Sequence, residues 1–163
     1  MKYLLFIILL FTAQLNATEI YLGAGTPYRA DEAGQNFIYT ASIERNKWKL
    51  EYSYFEDYNR SSRYRLKHPL WPQHLIRQHK TLSVSKQIYS KKLNDSCNFY
   101  FDFGIAYSSN ISRATSSNFL FHEALGFQCD RLRLEINHRS NAGLKGVNTG
   151  EDGLYLNYLI WEG

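Results

Sequence analysis

Polar and apolar residues alternate with a period of two over most of this chain. From Arg131 to Ser140, Leu132, Leu134 and Ile136 share one face, while Arg131, Arg133, Glu135, Asn137 and Arg139 share the other. Asn98 to Tyr107 sets Phe99, Phe101, Phe103, Ile105 and Tyr107 against Asn98, Tyr100, Asp102, Gly104 and Ala106. Lys47 to Tyr54 sets Trp48, Leu50, Tyr52 and Tyr54 against Lys47, Lys49, Glu51 and Ser53. Leu154 to Trp161 sets Leu154, Leu156, Tyr158 and Ile160 against Tyr155, Asn157, Leu159 and Trp161. Successive side chains of a strand point to opposite faces, so this is a strand pattern, and amphipathic helical periods are hard to find. The pattern predicts strands over 19–25, 35–44, 47–57, 80–91, 96–107, 117–128, 131–140 and 152–161.

The connections separate two all-β architectures. Around Arg45-Asn46, Leu93-Asn94-Asp95 and Cys129-Asp130 they are tight turns, whereas 26–34, 58–79, 108–116 and 141–151 are long and polar. Short turns at one end and long loops at the other favour an eight-stranded antiparallel transmembrane β-barrel over a secreted sandwich. In the barrel the apolar face meets lipid and the polar face fills the lumen. An even strand count returns both termini to the short-turn, periplasmic end.

Composition then makes sense. Aromatic residues reach 16% (13 Tyr, 10 Phe, 3 Trp), yet mean hydropathy is −0.43. A barrel strand keeps half its residues polar while aromatics supply its outward stripe and girdles. The net charge of +4 is not gathered in one run apart from a looser cluster between Arg60 and Lys80. That cluster reads as a solvated loop or a surface touching lipid phosphates, and nucleic acid is not an expected partner. Lys2, the apolar run Tyr3–Ala13 and small or polar residues up to Ala17 read as a signal peptide over 1–17, leaving 18–163 as the barrel domain. In an exported chain Cys97 and Cys129, at neighbouring strand ends and both in phase with outward aromatics, are placed to form a disulfide. His68, His74 and His79 in the 58–79 loop lack carboxylate or Cys companions at ligand spacing, so no metal site is predicted.

One apolar stripe does not end in an apolar residue. Leu132, Leu134 and Ile136 lead by twos to His138 and Ser140, a base and a hydroxyl on the lipid-facing side. Asp152, in phase with outward Leu154, brings a carboxylate to the same surface, while Glu151 is out of phase and points inward. Histidine, serine and a carboxylate are the composition of a serine hydrolase, although polar residues also occur at barrel rims for structural reasons alone. Glu123 is anomalous, because its phase sets a carboxylate outward between Phe121 and Leu125. A register shift or a polar substrate headgroup accounts for it, and the shift is the simpler reading.

The local sequence His138-Arg139-Ser140-Asn141-Ala142-Gly143-Leu144-Lys145, followed by Asn148 and Gly150, resembles the signature of the PagL family of lipid A 3-O-deacylases. The likeness is dense over this stretch and diffuse elsewhere. It implies an outer-membrane barrel that hydrolyses the ester-linked acyl chain at the 3-position of lipid A without a cofactor. Ser140 would be the nucleophile and His138 the general base. Asn141 or backbone N–H groups near Ala142 and Gly143 would hold the oxyanion, with Asn148 in support. The family's acid is a Glu fourteen residues after the His; here that position is Asp152, with Glu151 as the alternative. The expected setting is the outer membrane of a Gram-negative bacterium with the site facing the outer leaflet. Lipopolysaccharide and membrane lipid are the expected partners, with a homodimer as a further option. An esterase of another outer-leaflet lipid and a non-enzymatic barrel serving as adhesin or anchor remain alternatives.

Overall fold

A computed structural model describes residues 18–27, 37–56, 79–110, 117–144 and 150–163. The signal-peptide expectation, His68, His74 and Asn148 lie outside these residues. Eight strands form in chain order: β1 (Glu19–Pro27), β2 (Ile38–Arg45), β3 (Trp48–Phe55), β4 (His79–Lys92), β5 (Cys97–Ser108), β6 (Phe119–Cys129), β7 (Leu132–Ser140) and β8 (Glu151–Glu162). Each pairs antiparallel with its neighbours, and β1 pairs with β8, so the sheet closes into an up-and-down barrel with no free edge.

The turn chemistry explains the short-turn end. Asn46 and Lys47 both have positive φ (50° and 69°), the requirement of a two-residue hairpin turn matched to strand twist. Asp130, at φ 50°, begins the turn between β6 and β7. Thr18 and Gly163 exchange backbone hydrogen bonds at 2.8 and 3.1 Å, fastening the ends of β1 and β8 there. Cys97 and Cys129 are directly opposed and form the disulfide across β5 and β6.

Alternation holds along the wall. Leu132, Leu134 and Ile136 are exposed, and Arg133, Glu135, Asn137 and Arg139 are buried inside. Two bulges interrupt it near the short-turn end. Ile88 on β4 and Ile160 on β8 are extra residues in the pairing, so Ile88 and Tyr89 both face out, as do Ile160 and Trp161. Trp161 therefore leaves the inward set in which simple alternation had placed it.

An eight-stranded barrel is just wide enough for side chains to fill, and this one is filled by paired charge. Lys49 Nζ reaches Glu135 at 2.7 Å, Asp102 at 3.2 Å and Glu51 at 3.6 Å. Arg133 pairs with Glu44 and stacks over Tyr21, 3.9 Å from the ring centroid. Tyr100 donates to Glu135 at 2.5 Å, and Asn137 donates to the same carboxylate at 2.6 Å. Gly126 makes room for Tyr100, since a Cβ there would lie 2.0 Å from its ring. Buried ions survive only when paired and hydrogen-bonded, and this network meets that condition.

Candidate functional site

His138 and Ser140 lie at the long-connection end of β7, on the outer wall. Their cross-strand neighbours follow from the register. His138 stands opposite Asp152 on β8, and Ser140 stands opposite Phe121 on β6. His138 Nδ1 and Asp152 Oδ1 are 2.5 Å apart. The imidazole is 35% exposed and the carboxylate 11%, so the ring is the more accessible of the two. Glu151 turns inward instead. It is buried, opposite Arg139, and its carboxylate lies 3.3 Å from His79 Nε2. A one-residue difference on a strand thus sends the two carboxylates to opposite sides of the wall.

The chain after Ser140 turns tightly. Asn141 Oδ1 accepts the Gly143 N–H at 2.9 Å, and the Leu144 N–H bonds back to the Asn141 carbonyl at 3.0 Å. Ala142 and Gly143 both take left-handed backbone, with φ of 52° and 74°. Glycine adopts this without penalty, and alanine at a cost of about 1–2 kcal/mol. The consequence is that the Ala142 N–H points to Ser140 Oγ, at 3.4 Å. Of the expected oxyanion donors, Gly143 has its N–H engaged by Asn141, and Asn141 itself is buried as the organiser of the turn. Ala142 is the donor that meets the hydroxyl.

Gly150 approaches from the far side of the same connection. Its φ is 75°, and a Cβ there would lie 2.3 Å from His138 Cε1. Bare backbone is therefore packed against the imidazole edge. Among the described residues, His138 and Ser140 are not hydrogen-bonded to each other. Residues two apart on a strand have Cα atoms about 6.5 Å apart, so side-chain rotation brings hydroxyl and ring together. Such bonds are often open before substrate arrives.

Three features escaped the sequence reading. Arg139, between the two outward residues, reaches across the lumen to Glu51 at 2.7 Å, Ser53 at 3.0 Å and the Tyr155 hydroxyl at 2.8 Å. It anchors the strand that carries His138 and Ser140, and its signal was a charged residue of inward phase between them. His79 is the first residue of β4 rather than part of the preceding loop. It is buried, with its ring stacked on Phe55 at 4.1 Å between centroids. Glu123 involves no register shift. It is exposed, opposite Phe103 on one side and His138 on the other.

No protein-family profile matches the chain, and no curated protein matches it by sequence. Among solved structures, it is similar to the outer membrane enzyme PagL at 18% identity, over 88% of this chain and 99% of that one, with a TM-score of 0.57. The N-terminal β-barrel domain of Pseudomonas aeruginosa OprF is similar at 15% identity, over 89% and 98%, with a TM-score of 0.46. Ail of Yersinia pestis, in a phospholipid bilayer nanodisc, is similar at 12% identity, over 89% and 99%, with a TM-score of 0.44. The chain folds as an eight-stranded outer-membrane-type β-barrel, and it shares that fold with the outer membrane enzyme PagL.

Proposed function

We propose that this protein is an outer-membrane esterase that removes the ester-linked acyl chain at the 3-position of lipid A. The observation that carries this reading is the 2.5 Å contact between His138 Nδ1 and Asp152 on the lipid-facing wall, with Ser140 two residues along the same face. The signature-like run from His138 to Lys145 and the fold shared with the enzyme PagL support it. In this reading the long connections face the cell exterior and the row meets the outer leaflet, as long loops do in barrels of this type.

The chemistry follows from the geometry. Asp152 holds Nδ1 protonated, so Nε2 is the basic nitrogen and faces the substrate. Nε2 takes the Ser140 proton as Oγ attacks the ester carbonyl. The charge that develops on the carbonyl oxygen is met by the Ala142 N–H, which already points to Ser140 Oγ. The imidazolium then protonates the sugar oxygen as the C–O bond breaks, leaving an acyl-serine. Water, deprotonated by His138, attacks that ester and releases the fatty acid. Every proton passes through one ring nitrogen, so the scheme balances with water as the second substrate.

Mass spectrometry of lipid A from cells expressing the chain tests the proposal. The expected result is loss of one 3-linked hydroxyacyl group, abolished by Ser140→Ala. Unchanged lipid A with acyl chains released from phospholipid would assign another lipid ester. No hydrolysis of any lipid by the refolded barrel would leave a non-enzymatic role.

A further inference from the structure

Glu123 sits where a lipid-facing wall has least use for a carboxylate. The outward residues of β6 are Phe119, Phe121, Glu123, Leu125 and Phe127. Aromatic residues therefore lie on both sides of it along the strand, and Phe121 stacks on Phe103 at 6.2 Å between centroids just above. The pairing of β6 with β5 and with β7 is unshifted throughout, so no bulge moves the side chain to the interior. Acidic groups on the lipid face of a barrel are unfavourable at membrane depth. The inward carboxylates Glu44, Glu51, Asp102 and Glu135 each have a cationic partner. Glu123 has no hydrogen bond or ion pair among the described residues.

Its neighbour identifies what it faces. The strand order β6-β7-β8 sets Glu123, His138 and Asp152 in one row across the outer wall, with the imidazole in the middle. Asp152 already engages Nδ1 and fixes the tautomer, so a second carboxylate is not needed for that task. Glu123 lies on the other flank of His138, across the ring's strand from Asp152. A carboxylate there with no partner among the described residues is an acceptor for a donor on the substrate, and a plain methylene chain carries none.

Resting on the esterase reading, we propose that Glu123 is a specificity-determining residue. Its carboxylate accepts a hydrogen bond from a hydroxyl or amide N–H that the lipid ester carries close to the scissile carbonyl. The donor belongs either to the acyl chain or to the sugar, and the enzyme thereby selects donor-bearing esters over plain fatty-acyl esters. Sites built to bond a substrate donor discriminate strongly against analogues that lack it.

Three synthetic esters of equal chain length test this with the refolded full chain in detergent micelles. One is a 3-hydroxyacyl ester of a simple alcohol, one a plain acyl ester of a 2-acylamido sugar, and one a plain acyl ester of a simple alcohol. The wild type is expected to cleave the first or the second about tenfold or more faster than the third. Whichever is preferred assigns the donor to chain or sugar. Glu123→Leu is expected to bring the rates together, and Glu123→Gln, which keeps a neutral acceptor, to retain part of the preference. Equal wild-type rates on all three esters would overturn the inference while leaving the esterase reading intact. So would a preference that survives in Glu123→Leu. Loss of all three activities in a Glu123→Leu barrel that still shows the heat-modifiable gel shift would also overturn it, by assigning Glu123 to His138 instead. A folded wild type inert toward every ester would overturn the esterase reading and this inference together.

Discussion

The two faces of β7 are built to opposite rules. Inside, Arg133, Glu135, Asn137 and Arg139 are buried, and each is tied to a partner on another strand, Asn137 to His122 of β6. Outside, Leu132, Leu134 and Ile136 give way to His138 and Ser140, whose bonds are few and local. Charge is dense on the inner face and fixed. Polarity is sparse on the outer face and open to what the membrane presents. The difference teaches that in a narrow barrel a buried charge is a structural part, while a polar group on the apolar wall needs a chemical reason. The alternation also joins the faces: Arg139 holds from within the strand that offers His138 and Ser140 without.

The largest break in this comparison comes from the outer face alone. Ser140→Ala is expected to lower ester hydrolysis by about 10⁴-fold or more, while the heat-modifiable gel shift stays as in the wild type. Asp152→Asn is expected to cost about 10³–10⁴-fold, through loss of the tautomer that makes Nε2 the base. Glu151→Gln is expected to change the rate less than about tenfold, because its carboxylate faces His79 inside the barrel. A larger effect of Glu151→Gln than of Asp152→Asn would reverse the assignment of the acid.

The inner face fails differently. Arg139→Met leaves Glu51 without its guanidinium, and breaking a buried pair costs about 3–5 kcal/mol. Urea unfolding of the refolded barrel measures this. Adding Glu51→Gln to Arg139→Met is expected to recover part of the loss, since Glu51 would otherwise keep only Lys49, 3.6 Å away and shared with Glu135 and Asp102.

Two smaller effects sharpen the contrast. Gly150→Ala is expected to reduce hydrolysis by about 10²-fold, because its Cβ displaces the His138 ring, and to lower unfolding stability by about 1–2 kcal/mol, the cost of alanine in left-handed backbone. Cys97→Ser with Cys129→Ser is expected to lower stability by less than about 3–4 kcal/mol, the chain-entropy limit for a loop of this length. The two residues are already held opposite each other by strand pairing. Hydrolysis is expected to stay unchanged, because the disulfide lies at the other end of the barrel from His138.

Much of this was legible because a strand has a simple period. Phe99 to Tyr107 and Leu132 to Ile136 face out as alternation predicts, and Cys97 opposes Cys129. Phase alone also separated Asp152 from Glu151. The misreadings occurred where the period breaks or where the reason is not local. Ile160 is a bulge residue, so Trp161 changes face, and a two-residue count cannot see an inserted third. The turns fall at Asn46–Lys47 and Asp130–Arg131, one residue later than read, because the positive φ they demand is set by the twist of both strands. His79 looked like one of three loop histidines, yet its partners are Phe55 and Glu151, distant in sequence.

By itself, then, the sequence determined the number of strands, the face side chains take wherever alternation is unbroken, and the end at which histidine, serine and carboxylate gather. Those depend on backbone geometry that repeats every two residues. Only the tertiary structure decided which residues stand opposite each other. It set Asp152 against His138, turned the Ala142 N–H to Ser140, laid Gly150 on the imidazole and brought Glu123 to its other flank. Register and closure arise from eight strands fitting one another at once, with a lumen whose charges must all be paired.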